Sequence, residues 1–297
     1  VSRESFQSSK IIAQLRNVVT SKVIDHLNTM SNKEPEKYEK FWKEFGIFIK
    51  EGMATSPEHI SQLTNLIRFQ TLNKGIKLVS FKEYTSELEQ DQKKIYYIIG
   101  EDLLSLRNSP HLEAFKEREL DVILFADPVD PFMMINLKKF ENYDMINVTS
   151  SDLELPEISK EKSETKSEQP AAENINETLA FFKTILESRV KEVRTTEQLV
   201  NSPARLVDTK GSPSPEIQKA YRYLQKDMDT PEKILEINPH HPIIIQLSQI
   251  SGVSRLRDLI VEQIYENALI AEGIQPETYK MVNRINDLML AALQKAS

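Results

Sequence analysis

The chain has 297 residues, 39% of them hydrophobic and 28% charged, with a formal net charge of −7 and no cysteine. This is the composition of a globular α/β protein with two domains as the starting expectation. The scattered Lys and Arg argue against nucleic acid as a partner, and the missing thiols exclude a disulfide scaffold and thiolate metal sites and fit a reducing, cytoplasmic compartment.

The chain starts Val1-Ser2-Arg3-Glu4, without an initiator Met or a signal segment, as expected of a chain that begins inside a longer protein. Ile11, Leu15, Val18, Val19 and Leu27 then recur at helical spacing through residues 8–29. Tyr38, Phe41, Trp42, Phe45, Phe48 and Ile49 form a wide aromatic face, read as a packing surface, with Gly52 as the stop. A short helix holds Ile60, Leu63 and Ile67. Ser80 and Glu83 stand at capping-box spacing and open a helix over 81–90.

The β-branched and aromatic run Lys94–Ile99 reads as a buried strand. Ser109-Pro110 is an N-cap followed by proline at the first helical position, and Asp121–Phe125 is a second strand. A helix between two such strands makes a βαβ unit, hence a small parallel sheet under helical cover. No apolar run approaches the ~20 residues a membrane helix needs.

Residues 151–173 are dominated by Ser, Glu, Lys and Pro. Such a segment buries too little apolar surface to offset its ordering entropy, and it reads as a flexible linker between domains 1–150 and 174–297. A charged recognition tail is the alternative, which the mixed signs oppose. Asn174 is a candidate N-cap with Glu177 three residues on, opening a helix with Ile175, Leu179, Phe182, Leu186 and Val190. Lys191–Thr196 and Arg205–Thr209 read as strands, Ser214-Pro215 opens a helix over 215–228, and Asn238–Pro242 is a turn. Two helices, about 254–271 and 276–294, end the chain. Leu259, Ile260, Ile264 and Leu269 line the first; Met281, Ile285, Leu288, Met289, Ala292 and Leu293 line the second. Such a hairpin completes a bundle across a two-fold axis or packs on its own domain, and periodicity leaves both open.

Chemistry is scarce. The seven glycines never fall at the spacing of a phosphate-cradling loop, and neither G-x-S-x-G nor H-E-x-x-H occurs. His240 and His241 lie between prolines and read as turn residues rather than metal ligands. The sequons at Asn147 and Asn176 read as chance matches.

Ordered motifs along the whole chain resemble the ninety-kilodalton heat-shock chaperones in their bacterial form. They are Tyr38-x-x-Phe41-Trp42-x-x-Phe45-Gly46-x-x-x-Lys50-Glu51-Gly52, Leu66-Ile67-Arg68-Phe69, Lys94-Ile95-Tyr96-Tyr97, Ser109-Pro110-His111-Leu112-Glu113 and Ile234-Leu235-Glu236-Ile237-Asn238-Pro239. The resemblance implies a homodimeric chaperone fragment. It holds the later part of a middle domain, a helical segment with a small αβα sandwich, and a mixed α/β dimerisation domain ending in a helical hairpin.

It implies that ATP, with magnesium, binds in a domain absent here, so this part is no enzyme and has no cofactor of its own. Arg3 matches the arginine that reaches the γ-phosphate from the middle domain, and Gln7 its accompanying glutamine; Ser5 departs from the family's apolar residue. A guanidinium there neutralises charge on the transferring phosphoryl group.

The helix over 215–228 matches one that contacts non-native client proteins, with Ile217, Tyr221, Leu224 and Met228 at i, i+4, i+7 and i+11. Read bottom-up, the same stripe faces a core. Phe132, Met133 and Met134 stand where relatives also meet clients, with Phe132 in place of the usual tryptophan, and core packing is equally open. Leu259, Ile260, Ile264, Met281, Ile285, Leu288, Met289 and Leu293 are the expected dimerisation residues. The rival readings are a self-contained α/β domain with a small-molecule substrate and a passive dimeric scaffold.

Overall fold

The computed structural model describes residues 10–89, 92–151, 153–156, 174–210, 212–224, 232–250 and 254–296. Those residues form one five-stranded sheet, one three-stranded sheet and a larger complement of helix, an α+β fold. By contact the chain divides into two compact units, Val1–Ile95 with Asp127–Met145 and Tyr96–Ala126 with Ile146–Ser297. Most of the expected linker, residue 152 and residues 157–173, lies outside the described residues.

In the first unit, helices Lys10–Lys33 and Pro35–Thr55 are separated by Glu34, and Pro35 fills the first position of the second, where its missing N–H is harmless. Gly52 does not end that helix. It runs to Thr55, the Ser56 N–H returns to the Gly52 carbonyl, and Pro57 opens a 3-10 turn.

The aromatic face divides. Tyr38 and Trp42 are buried, but Phe45 and Phe48 are 50% and 60% exposed, and Ile11, Leu15, Val18 and Val19 of the preceding helix are exposed as well. The buried row is Tyr38, Trp42, Gly46, Lys50 and Met53, which follows i+4 and finally i+3 spacing and turns Phe45 and Phe48 away. The Trp42 ring covers Gly46 so closely that a Cβ there would meet it at 2.7 Å. Burial alone would discharge Lys50, but Asp127 and Asp130, the latter at 2.7 Å, hold its pKa above the ordinary value.

Ser80 and Glu83 form the expected reciprocal cap. The Glu83 N–H donates to Ser80 Oγ at 3.2 Å and the Ser80 N–H to Glu83 Oε2 at 2.8 Å. The helix they open ends at Ser86, short of residue 90. Helix Asp130–Asn136 and the antiparallel pairing of Lys139 with Asp144 and Phe140 with Tyr143 were not legible in the sequence.

In the second unit the βαβ arrangement is present. Tyr97, Ile98 and Ile99 pair in parallel with Ile123, Leu124 and Phe125. Between them Asp102 caps helix Leu103–Arg107, and Ser109 caps the 3-10 turn Pro110–Leu112 that leads into helix Glu113–Glu117. Lys233–Ile237 is the centre of the other sheet, parallel to Val190–Thr195 and antiparallel to Ala204–Val207.

Leu235 and Ile237 join Phe182, Leu186, Leu206 and Ile264 in the core. Glu236, on the opposite face, is satisfied by Arg194 at 2.6 Å and Arg205 at 2.7 Å. Asn174 makes no side-chain cap bond, contrary to its spacing. His241 caps helix Pro242–Gln249, its Nδ1 accepting the Ile243 N–H at 3.2 Å. No described helix is long and apolar enough to cross a membrane.

Candidate functional site

Helix Pro215–Tyr223 inverts the usual amphipathic arrangement. Its buried residues are Glu216, Gln218 and Ala220. Ile217 is half-buried, and Tyr221 and Leu224 are 41% and 52% exposed. Met228 lies outside the described residues.

Polar partners beneath the helix cause the inversion. Glu216 Oε1 accepts both the Tyr97 hydroxyl and Asn147 Nδ2, each at 2.7 Å. Gln218 Nε2 donates to Asp208 Oδ1 at 3.0 Å and to the Pro213 carbonyl at 2.8 Å. Lys233 Nζ, 2.6 Å from the same Asp208 oxygen, completes that group. Lys219 Nζ donates to the Ile99 carbonyl. A helix so anchored by its polar side must turn its remaining apolar side outward.

The electrostatics follow from burial. Desolvation opposes ionisation of Glu216, but Asn147 and Tyr97 outweigh it and hold the carboxyl below its usual range. Burial, reinforced by Glu216, drives the Tyr97 phenol far up, so it stays a donor. The Asn147 sequon is buried within this network.

A second polar group lies at the end of helix Arg255–Ala271. Glu272 Oε1 is 2.5 Å from His111 Nε2, and its other oxygen is 3.7 Å from Lys233 Nζ. Burial would raise the Glu272 pKa, yet His111, Lys233 and Lys219 hold it at about 2. Gly273 follows with φ of +68°, the left-handed conformation that lets the chain leave the helix.

Glu113 ties another junction within this unit. Its Oε2 accepts the N–H groups of Val200, Asn201 and Ser202 at 2.6, 2.8 and 3.2 Å, and its Oε1 accepts the Ser202 hydroxyl at 2.5 Å. Sequence patterns did not reveal Glu216, Glu272 or Glu113 as anchors. A carboxylate on a helix reads as solvated unless its partner is known, and each partner lies far away in sequence.

The terminal hairpin, Arg255–Ala271 and Thr278–Ala296, is unequally covered. Ile264 is in the core beside Val261, Tyr265 and Ala268, and Leu259 and Ile260 are half-buried. On the second helix Met281, Ile285 and Leu288 are half-buried, while Met289 and Leu293 are 60% and 67% exposed. Arg284 binds Glu266 at 2.5 Å, so the hairpin is joined partly by charge and leaves apolar surface open.

Arg3 and Gln7 lie outside the described residues. Phe132 is half-buried, but Met133 and Met134 are fully buried. These two methionines thus pack inside, on the short helix Asp130–Asn136 whose Asp130 pairs with Lys50.

The model of the family described as Hsp90 protein matches residues 1–297. A protein named Chaperone protein HtpG from Chlorobium phaeovibrioides is 34% identical over 297 residues, covering 98% of this chain and 47% of its own length. The protein of the same name from Ruthia magnifica is 32% identical, covering 97% of this chain and 46% of its own. That from Buchnera aphidicola is 33% identical, covering 98% and 46%. The chain thus spans about half the length of the curated relatives it matches.

Proposed function

The chain belongs to the Hsp90 protein family of chaperones, and from that premise we propose that it is the dimer-forming, client-holding portion of an ATP-driven folding machine. The carrying observation is the inverted helix Pro215–Tyr223, which buries Glu216 and Gln218 and presents Tyr221 and Leu224 to solvent. Large apolar side chains on a helix fixed from its polar side suit promiscuous contact with non-native chains. Met228 extends this stripe in the sequence, and Phe132 is a second contact.

The parts then act as a clamp. The terminal hairpins join two protomers through Met281, Ile285, Leu288, Met289 and Leu293, with Leu259, Ile260 and Ile264 anchoring the hairpin to its own core. Arg3, with Gln7, couples the clamp to nucleotide held elsewhere in the longer protein. Among the described residues no three His, Asp or Glu side chains are grouped to hold a metal ion. The partners are a second copy and client proteins, in the reducing cytoplasm.

Replacing Tyr221 and Leu224 together with Ala tests this reading. Both side chains are exposed, so stability should change by no more than ~0.5 kcal/mol per site. Suppression of the thermal aggregation of a model client should fall severalfold. Undiminished suppression by the folded double variant would leave a passive scaffold as the better description.

A further inference from the structure

The second unit encloses a cavity of about 340 Å³ between the end of strand Lys94–Ile99, helix Leu103–Arg107, helix Pro215–Tyr223 and the Glu272-Gly273 turn. That volume is enough for a small organic molecule. One wall is apolar, formed by Ile99, Leu106 and Ile270. The lining also includes Lys219 and Arg222, three residues apart on one helix and therefore neighbours.

These two cations differ from the buried cations Lys233 and Arg205 of the same unit. Lys233 has Asp208 and Glu272, and Arg205 has Glu236. Lys219 donates only to the Ile99 carbonyl, and Arg222 only to the carbonyls of Glu272 and Gly273, at 3.3 and 3.4 Å. Neither forms an ion pair with a carboxylate among the described residues. Of the acids near them, Glu272 is bonded to His111 and also acts on Lys219 through its charge, as Asp208 does, Asp102 accepts from Ser105, and Glu101 is exposed.

We propose that this cavity binds a small monocarboxylate with an apolar body, its oxygens between Lys219 Nζ and the Arg222 guanidinium and its body against Ile99, Leu106 and Ile270. The guanidinium fork matches a carboxylate and the ammonium adds a point charge. Glu101 and Asp102 at the rim select against multiply charged anions. Burial pushes the Lys219 amine below its ordinary pKa, and an incoming carboxylate reverses that, so binding is accompanied by proton uptake as the pH rises. An occupant would join helix Pro215–Tyr223 to the Glu272-Gly273 turn. The inference does not depend on the chaperone reading.

The test uses the full chain and benzoate as probe, at constant ionic strength with chloride as the balancing anion. Calorimetric titration should show saturable binding, and acetylation of Lys219 by an N-hydroxysuccinimide ester should fall severalfold at saturation while exposed Lys37 is unaffected. Arg222→Gln, a surface change, should weaken benzoate about tenfold, and Lys219→Met should do so at least as strongly. Two results would overturn the proposal: benzoate heat and protection no greater than those of chloride, or Arg222→Gln protein binding benzoate as the parent does.

Discussion

Replacing Glu216 with Ala removes the anchor that turns helix Pro215–Tyr223 polar side inward. Glu216 Oε1 accepts two hydrogen bonds at 2.7 Å, from Tyr97 and Asn147, and all three residues are buried. A hydrogen bond to a charged group contributes about 1.5–3 kcal/mol, and an orphaned buried donor costs about 1–3 kcal/mol. Removing the carboxylate also relieves its own desolvation, so the net loss should be about 3 kcal/mol. Because Tyr97 and Asn147 use one oxygen, Glu216→Gln can keep both of those bonds while losing their ionic part and the support of Ser214 and the Glu216 N–H, and should fall between the parent and Ala.

Hydrogen exchange of Leu235 and Ile237 in increasing urea reports the stability of this unit. The Glu216 pKa is below its unfolded value, so its contribution is fully present above the ordinary glutamate range and lost as pH falls through the folded pKa. The gap between parent and Gln variant should therefore close below about pH 4. A loss under 1 kcal/mol for Ala, or a Gln variant as unstable as Ala, would refute the anchoring argument.

Three further outcomes are expected. Glu113→Ala should lower stability by about 2 kcal/mol, since four hydrogen bonds converge on one half-exposed carboxylate. Burial opposes ionisation of Glu113, but Ser202 and the backbone donors depress its pKa, so its contribution too should vanish in acid; an acid unfolding profile identical to the parent's would contradict this. Glu272→Gln should lower stability by about 2 kcal/mol at neutral pH by removing the carboxylate charge that His111 contacts and that adds to Asp208 beside Lys233. With a folded pKa of about 2, that difference should persist above the unfolded value and fade from roughly pH 4.5 down to 2, as read by pH-dependent urea midpoints. Light scattering across a concentration series should give twice the 34.3 kDa of one chain, and deletion of residues 278–297 should give the monomer; a monomeric intact chain would remove the hairpin from the assembly.

Local signals carried much of the architecture. Ser80 with Glu83, Ser109 with Pro110, and the run Lys94–Ile99 gave a capping box, a capped turn and a buried strand, because each rests on contacts a few residues apart or on side-chain shape alone. Helix Asp130–Asn136 and the pairing of Phe140 with Tyr143 escaped notice because their stability comes from Lys50, Met53 and Phe81, distant in sequence. Orientation was the least legible property. Spacing identified the stripe Ile217, Tyr221 and Leu224 but favoured a core-facing one, which the exposed Tyr221 and Leu224 contradict, and it left Met133 and Met134 undecided.

What the sequence alone determined was the helical and strand periods, the missing phosphate loop and, through ordered motifs such as Ser109-Pro110-His111-Leu112-Glu113, the family. Only the tertiary structure decided which side of each helix is inside. That choice is set by the partners waiting beneath it: Tyr97 and Asn147 lie 119 and 69 residues before Glu216 and satisfy its charge only when the chain has folded. A buried carboxylate is tolerable when its donors are in place, and no hydrophobic period encodes where those donors will be.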